Sequence, residues 1–215
     1  MLIIAAACIG TFSKGALLLG LPAGMGLVLL LAAWRTRRRS ALLFVAAATV
    51  VGAVGLALLF RTPRFADLLN FESGTTFFRL RLWQGAWQMA LDHPLLGVGP
   101  DNFLYAYRTR YVLPGAWQEL NLSHPHNILL DLWTRLGLIG VAAGGWTIWT
   151  AFRSGWRVFR TAPGEVWPLA LGLLGGLAAM VAHGLIDNSI FLVDLMALFM
   201  LAMALFRRNL GESRA

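Results

Sequence analysis

The chain has 215 residues, 58% hydrophobic and 13% charged, with a mean hydropathy of +0.68. Its apolar residues fall in long uninterrupted runs, which excludes an ordinary soluble domain and marks a membrane protein. The formal charge of +8 does not indicate nucleic acid, because Arg35, Arg37, Arg38, Arg39, Arg153, Arg157, Arg160, Arg207, Arg208 and Arg214 sit just beyond hydrophobic runs, where they orient a membrane protein.

A helix needs about 20 apolar residues to cross the hydrocarbon core. The opening run, 2–12, is shorter and reads as a partial span. Cys8 lies within it as a small buried hydrophobe, with no second cysteine for an intrachain disulfide. No positive stretch precedes the run, so no cleavable signal peptide is expected, and the chain reads as the C-terminal portion of a longer protein. Ser13-Lys14-Gly15 interrupts the apolar sequence. Full spans are predicted over 16–34, 41–60, 129–149, 166–186 and 190–206. The expected fold is therefore all-α, a polytopic membrane bundle of five full spans and a partial one. If the spans alternate, the arginine-rich segments 35–39, 151–160 and the C-terminal tail share one side, and the positive-inside rule makes it cytoplasmic. The 61–126 loop, Ser13-Lys14-Gly15 and the 187–189 turn then face outward. Asp67, Glu72, Asp92, Asp101 and Glu119 nearly balance the arginines of that loop. Gly137, Gly140 and Gly144 share one helix face, and Gly172 and Gly176 another; both sets permit close helix approach.

The outward loop is too long for a plain connector and should contain short helices. Thr76 or a neighbour is expected to cap a helix over 77–91. On that helix Arg81, Gln84, Gln88 and Asp92 share a polar face, opposite Leu80, Trp83, Ala86, Trp87 and Ala90. Arg79 falls within the apolar face. It either snorkels to lipid headgroups or meets an anion, which the nearby helix N-terminus also favours. The glycine- and proline-rich stretch 92–103 reads as a compact turn region, with His93 structural.

In Ser123-His124-Pro125-His126-Asn127, Pro125 suits the first position of a helix, which places His126 in the first turn of the next span. There it is a candidate general base. His124 and His126 alone suggest a metal pair, but no cysteine or carboxylate has matching spacing, and no metal or other cofactor is expected. Asp131 and Arg135 read as an i, i+4 ion pair. Lys14, the only lysine, and the His183/Asp187 pair stand near the membrane edge as ionisable candidates, with helix-end anchoring as the competing role.

Taken together these residues resemble a known family. His126-Asn127, nine residues, then Gly137-Leu138-Ile139-Gly140 resembles the His-Asn-x9-Gly-x-x-Gly signature of the O-antigen ligase/polymerase superfamily of bacterial envelope enzymes. Arg79-Leu80-Arg81-Leu82-Trp83 followed by His93-Pro94-Leu95-Leu96-Gly97-Val98-Gly99 resembles the start of the family's periplasmic loop. Ser13-Lys14-Gly15-Ala16 resembles its Ser-Arg-Gly motif, with lysine in place of arginine. His183-Gly184-Leu185-Ile186-Asp187-Asn188 resembles a motif in its late helices, while Arg135 stands where a glutamate is common.

The resemblance implies an enzyme of the bacterial inner membrane with its active face periplasmic. Its donor would be an undecaprenyl-diphosphate-linked glycan, and its acceptor a hydroxyl of lipid A-core or another glycan. Within that frame His126 is the expected base, and Arg79 and Lys14 the cations for the leaving diphosphate. Asn127, Arg81, His124 and Asp187 are expected to bind substrate, with transfer free of metal and inverting. A polymerase and a protein oligosaccharyltransferase share the architecture. A transporter or a non-catalytic polyprenyl-lipid-binding protein is the alternative of another class. The charged groups collect at one predicted face rather than at the midplane, which argues against transport.

Overall fold

The computed structural model of the chain describes residues 10, 13–164, 166–187 and 192–212. The 2–12 run apart from Gly10, Cys8, residues 188–191 and Arg214 lie outside the described residues. Those described are all-helical, without a strand. Six longer helices are α1 (Ala16–Thr36), α2 (Arg39–Leu59), α3 (Gly74–Asp92), α4 (Ile128–Thr161), α5 (Val166–Gly184) and α6 (Val193–Glu212). Four of them, α1, α2, α4 and α5, are long and apolar enough to cross a membrane. The protein is thus a multi-pass helical membrane protein. The span expected over 190–206 falls on α6, which is not among the four; it carries Asp194 near its start and Arg207 and Arg208 further on.

The chain forms two compact units, the first comprising Met1–Leu59, Trp149–His183 and Phe191–Ala215, the second Phe60–Ile148 and Gly184–Ile190. In the first, Val158 and Phe159 of α4 pack with Leu171 and Leu174 of α5 and Phe199 and Phe206 of α6. Close crossing of α1 and α5 depends on two glycines. A Cβ on Gly24 would lie 2.7 Å from the Gly175 carbonyl oxygen, and one on Gly175 2.4 Å from Val28 Cγ2. Gly172 and Gly176, the pair expected to serve this purpose, have open space where a Cβ would stand.

Arg35 has a packing task beyond topology. Its guanidinium donates to the carbonyls of Phe159 and Ala162 (2.9 Å for Ala162) and lies over the Phe159 and Trp167 rings. It thereby satisfies carbonyls that the end of α4 leaves without helical partners, where a cation is also favoured by the helix dipole. Arg37 then ends α1 in the left-handed region at φ 50°, its N–H bonded to the Ala33 carbonyl.

In the second unit α3 is longer than the sequence suggests. It begins at Gly74 behind Ser73, while the Thr76 hydroxyl donates to the Leu68 carbonyl instead of capping. Its buried face is also rotated from the expected one. Leu82, Gly85, Ala86, Met89 and Ala90 are buried, whereas Leu80 and Trp87 are exposed. The reason is the helix-and-turn segment behind it: Phe103, Tyr107 and Tyr111 pack on Leu82, Ala86 and Met89. Gly85 admits the Tyr111 carbonyl, which would lie 2.3 Å from an added Cβ.

The 129–149 span is not one continuous helix. Gly137 has φ 70° and ψ −168°, breaking α4. Residues before the break lie against residues after it: a Cβ on Gly140 would be 2.2 Å from Leu136 Cβ, and one on Gly144 2.8 Å from Leu132 Cδ1. The 93–99 loop fills the break. Val98 and Gly99 N–H groups donate to the Thr134 and Arg135 carbonyls (2.8 and 3.1 Å), and Leu138 N–H donates to the Pro94 carbonyl (2.8 Å). These bonds replace those the helix loses at the break.

Candidate functional site

The site is assembled in the second unit around the 123–127 segment. Helix α4 starts at Ile128, with Asn127 in the capping position. The Asn127 Oδ1 accepts from the Leu129 and Leu130 N–H groups at 3.0 and 3.1 Å, satisfying two of the first-turn donors. Its Nδ2 donates to the Leu185 carbonyl at 2.9 Å. His126 therefore precedes the cap instead of lying in the first turn. Its backbone is left-handed, φ 50°, a region few non-glycine residues occupy and one in which strain concentrates at functional positions.

The His126 ring has a partner from far along the chain. Nδ1 lies 2.9 Å from Asp187 Oδ1, across 61 positions of sequence. Asn127 and Asp187 thus act through one local frame: the Asn127 amide grips the carbonyl two residues before Asp187. With Nδ1 held by the carboxylate, Nε2 is the nitrogen left to accept a proton. His126 and Asp187 are 25% and 36% exposed at their side chains, so reagents can reach the pair.

The His124 ring lies beside that of His126, centroids 4.3 Å apart and planes tilted by 59°, with Ser123 Oγ 3.0 Å from its Nδ1. Burial, reinforced by the neighbouring His126, lowers its pKa to about 4. At neutral pH His124 is an uncharged hydrogen-bonding ring. His124, His126 and Asp187 each offer a ligand atom, all within 4.8 Å of one another, and could hold a metal ion. Sequence spacing gave no third ligand because Asp187 reaches the histidines only through the fold.

Two side chains fix the segment at two of its carbonyls. Arg135, only 9% exposed, donates from Nε to Asp131 Oδ1 (2.7 Å), from one terminal nitrogen to the Pro100 carbonyl (2.6 Å) and from the other to the Ser123 carbonyl (2.8 Å). The i, i+4 ion pair is present, and it also clamps the backbone just before His124. The Trp83 indole donates to the Pro125 carbonyl at 2.9 Å. Neither role has a signal in the sequence beyond the resemblance of the surrounding motifs.

Trp83 also locates Arg79, one turn earlier on the same stripe of α3. Trp87, one turn later, meets Trp133 with ring centroids 5.2 Å apart. Arg79 is half-buried, and no hydrogen bond or ion pair joins it to another described residue. Arg81 is engaged along its own helix, over the Phe77 ring and 3.3 Å from Gln84 Oε1. Lys14 and His183 belong to the first unit. Arg79, Arg81, His124, His126, Asn127 and Asp187 all fall in the second unit. Contacts gather His124, His126 and Asp187, with Asn127 bonded to the Leu185 carbonyl, while Arg81 is engaged on its own helix.

A sequence model of the O-antigen ligase family matches residues 1–144, which include Arg79, His126 and the helix break at Gly137. An O-antigen ligase of Salmonella typhimurium (strain LT2) is 26% identical over 148 residues, covering 63% of this chain and 34% of its own length. The chain spans about a third of that curated relative.

Proposed function

The chain belongs to the O-antigen ligase family, and from that premise we propose that it transfers a glycan from an undecaprenyl-diphosphate carrier to an acceptor hydroxyl at the outer face of the inner membrane. The observation that carries this reading is the His126–Asp187 pair, 2.9 Å apart. It unites the two family-like motifs that hold the chain's candidate acid–base groups.

In the proposed reaction Nε2 of His126 takes the proton of the acceptor hydroxyl as its oxygen attacks the anomeric carbon. Asp187 accepts the Nδ1–H bond, fixes the ring's tautomer and stabilises the imidazolium that forms. The bond from the anomeric carbon to the diphosphate breaks, and the leaving lipid diphosphate takes the electron pair. Its dispersed negative charge is met by a cation at the membrane edge, for which Arg79 is the candidate in the unit that holds His126. Arg79 is available for that task because no anion among the described residues pairs with it. A single displacement inverts the anomeric centre, and no metal takes part in it. Asn127 serves by orienting the base and its carboxylate; Arg81 and neutral His124 offer contacts to the sugar or the acceptor.

The test is glycan transfer by the native, membrane-embedded protein carrying His126→Ala. Transfer should be abolished while membrane insertion and carrier-lipid binding persist. Wild-type transfer by that variant removes His126 as the base. Parallel assays offering lipid A-core, glycan or peptide acceptors identify which product forms and separate ligase from polymerase and protein transferase.

A further inference from the structure

We propose that His124, His126 and Asp187 also form a binding site for a divalent transition ion of the zinc class, and that its occupancy shuts off His126. The shutting-off rests on the function proposed above; the binding does not.

Two imidazoles and a carboxylate are the donor types that zinc takes up, and three protein ligands leave a fourth position for water. Their ligand atoms already lie within 4.8 Å of one another. Tetrahedral bonds of about 2.1 Å put neighbouring ligand atoms about 3.4 Å apart. The His126–Asp187 contact at 2.9 Å therefore opens by only about 0.5 Å to admit an ion between Nδ1 and Oδ1. All three side chains are half-buried, so an ion can enter from solvent.

The backbone beneath these ligands is held independently of them. Arg135 grips the Ser123 carbonyl, Trp83 the Pro125 carbonyl, and Asn127 ties the 126 and 185 segments together. Such outer contacts are what turn a group of side chains into a preorganised ligand set. An ion on Nδ1 of His126 leaves the remaining proton on Nε2, the nitrogen required to accept one from the acceptor hydroxyl. Asp187 would at the same time be drawn onto the ion and away from stabilising an imidazolium. Zinc and proton transfer thus compete for one ring.

Binding is read directly by titrating the chelator-treated, detergent-purified protein with Co2+, following its visible absorption, and then displacing it with Zn2+. One equivalent per chain is expected. His124→Ala, His126→Ala and Asp187→Asn should each weaken affinity at least tenfold, while His93→Ala keeps wild-type affinity. His124→Cys retains a ligand and should add a sulfur-to-cobalt charge-transfer band. Wild-type protein that binds no ion, affinities indifferent to the three replacements, or absence of the sulfur band would overturn the site. In the native membrane, Zn2+ should suppress transfer and a chelator restore it. Specific binding with undiminished transfer would overturn the shut-off, and with it His126 as the base, while leaving the ion site in place.

Discussion

Gly137→Ala strikes the junction that seats the 93–99 loop in the broken helix. At φ 70° and ψ −168° the backbone lies in a region essentially reserved for glycine, costing roughly 1–3 kcal/mol for another residue. The new Cβ would also stand 2.0 Å from the Leu95 carbonyl oxygen and 2.1 Å from its carbon. Both obstacles are backbone, so no rotamer change relieves them. Relief requires the loop to withdraw, giving up the bonds from Val98, Gly99 and Leu138, each contributing about 0.5–1.5 kcal/mol. The expected loss is roughly 3–7 kcal/mol. Thermal unfolding in detergent should show a large fall in midpoint, and limited proteolysis should open the 93–99 segment. Gly145→Ala is the control, because its added Cβ meets nothing within 4 Å. A Gly137→Ala protein as stable as that control, with its loop still protected, would refute the junction.

Asp187→Asn should lower kcat by roughly 10- to 100-fold with KM little changed, because the ring stays in place but its imidazolium loses a charged partner; an unchanged kcat would deny Asp187 this role. Arg135→Met strands the Asp131 carboxylate, which is 1% exposed, and should cost about 3–5 kcal/mol. Adding Asp131→Leu should recover much of that stability but not activity, since the clamp on Ser123 is still missing; thermal melts and transfer assays read the two effects separately. His124, held at about 4 against an ordinary 6.5, adds no pH dependence above the higher value, where folded and unfolded rings are both neutral. As pH falls between the two values the unfolded chain binds a proton that the folded chain refuses, and stability is lost. The melting midpoint of His124→Gln should therefore drop less on acidification from about pH 7 to about pH 4.5 than that of the wild type.

The membrane class was legible in one dimension because hydrophobic span length is a local property of the chain. Helices α1, α2 and α5 begin and end close to the apolar runs that predict them. His126 and Asn127 stood out for a similar reason, since proline, histidine and asparagine ahead of an apolar run make a compact local pattern. The pairing of that motif with Asp187 had no such trace. Periodicity on 183–187 joins Asp187 to His183 at i, i+4, whereas the fold turns Asp187 to a ring 61 positions earlier.

Gly137 shows the same division within a single residue. Its place in the signature was visible, but spacing along one helix made it look like a packing residue. Only contact with Leu95 and the bonds from Val98 and Gly99 show that it opens the helix to another segment. The rotated face of α3 likewise depends on what covers it, and the α1–α5 crossing depends on Gly24 and Gly175 instead of the regular Gly172/Gly176 pair. Composition and hydropathy determined that the chain is helical, membrane-embedded and supplied with a histidine base candidate. Tertiary structure decided which carboxylate faces that histidine and which helix breaks to seat the 93–99 loop, because such choices are settled by packing between segments that carry no record of one another in their local sequence.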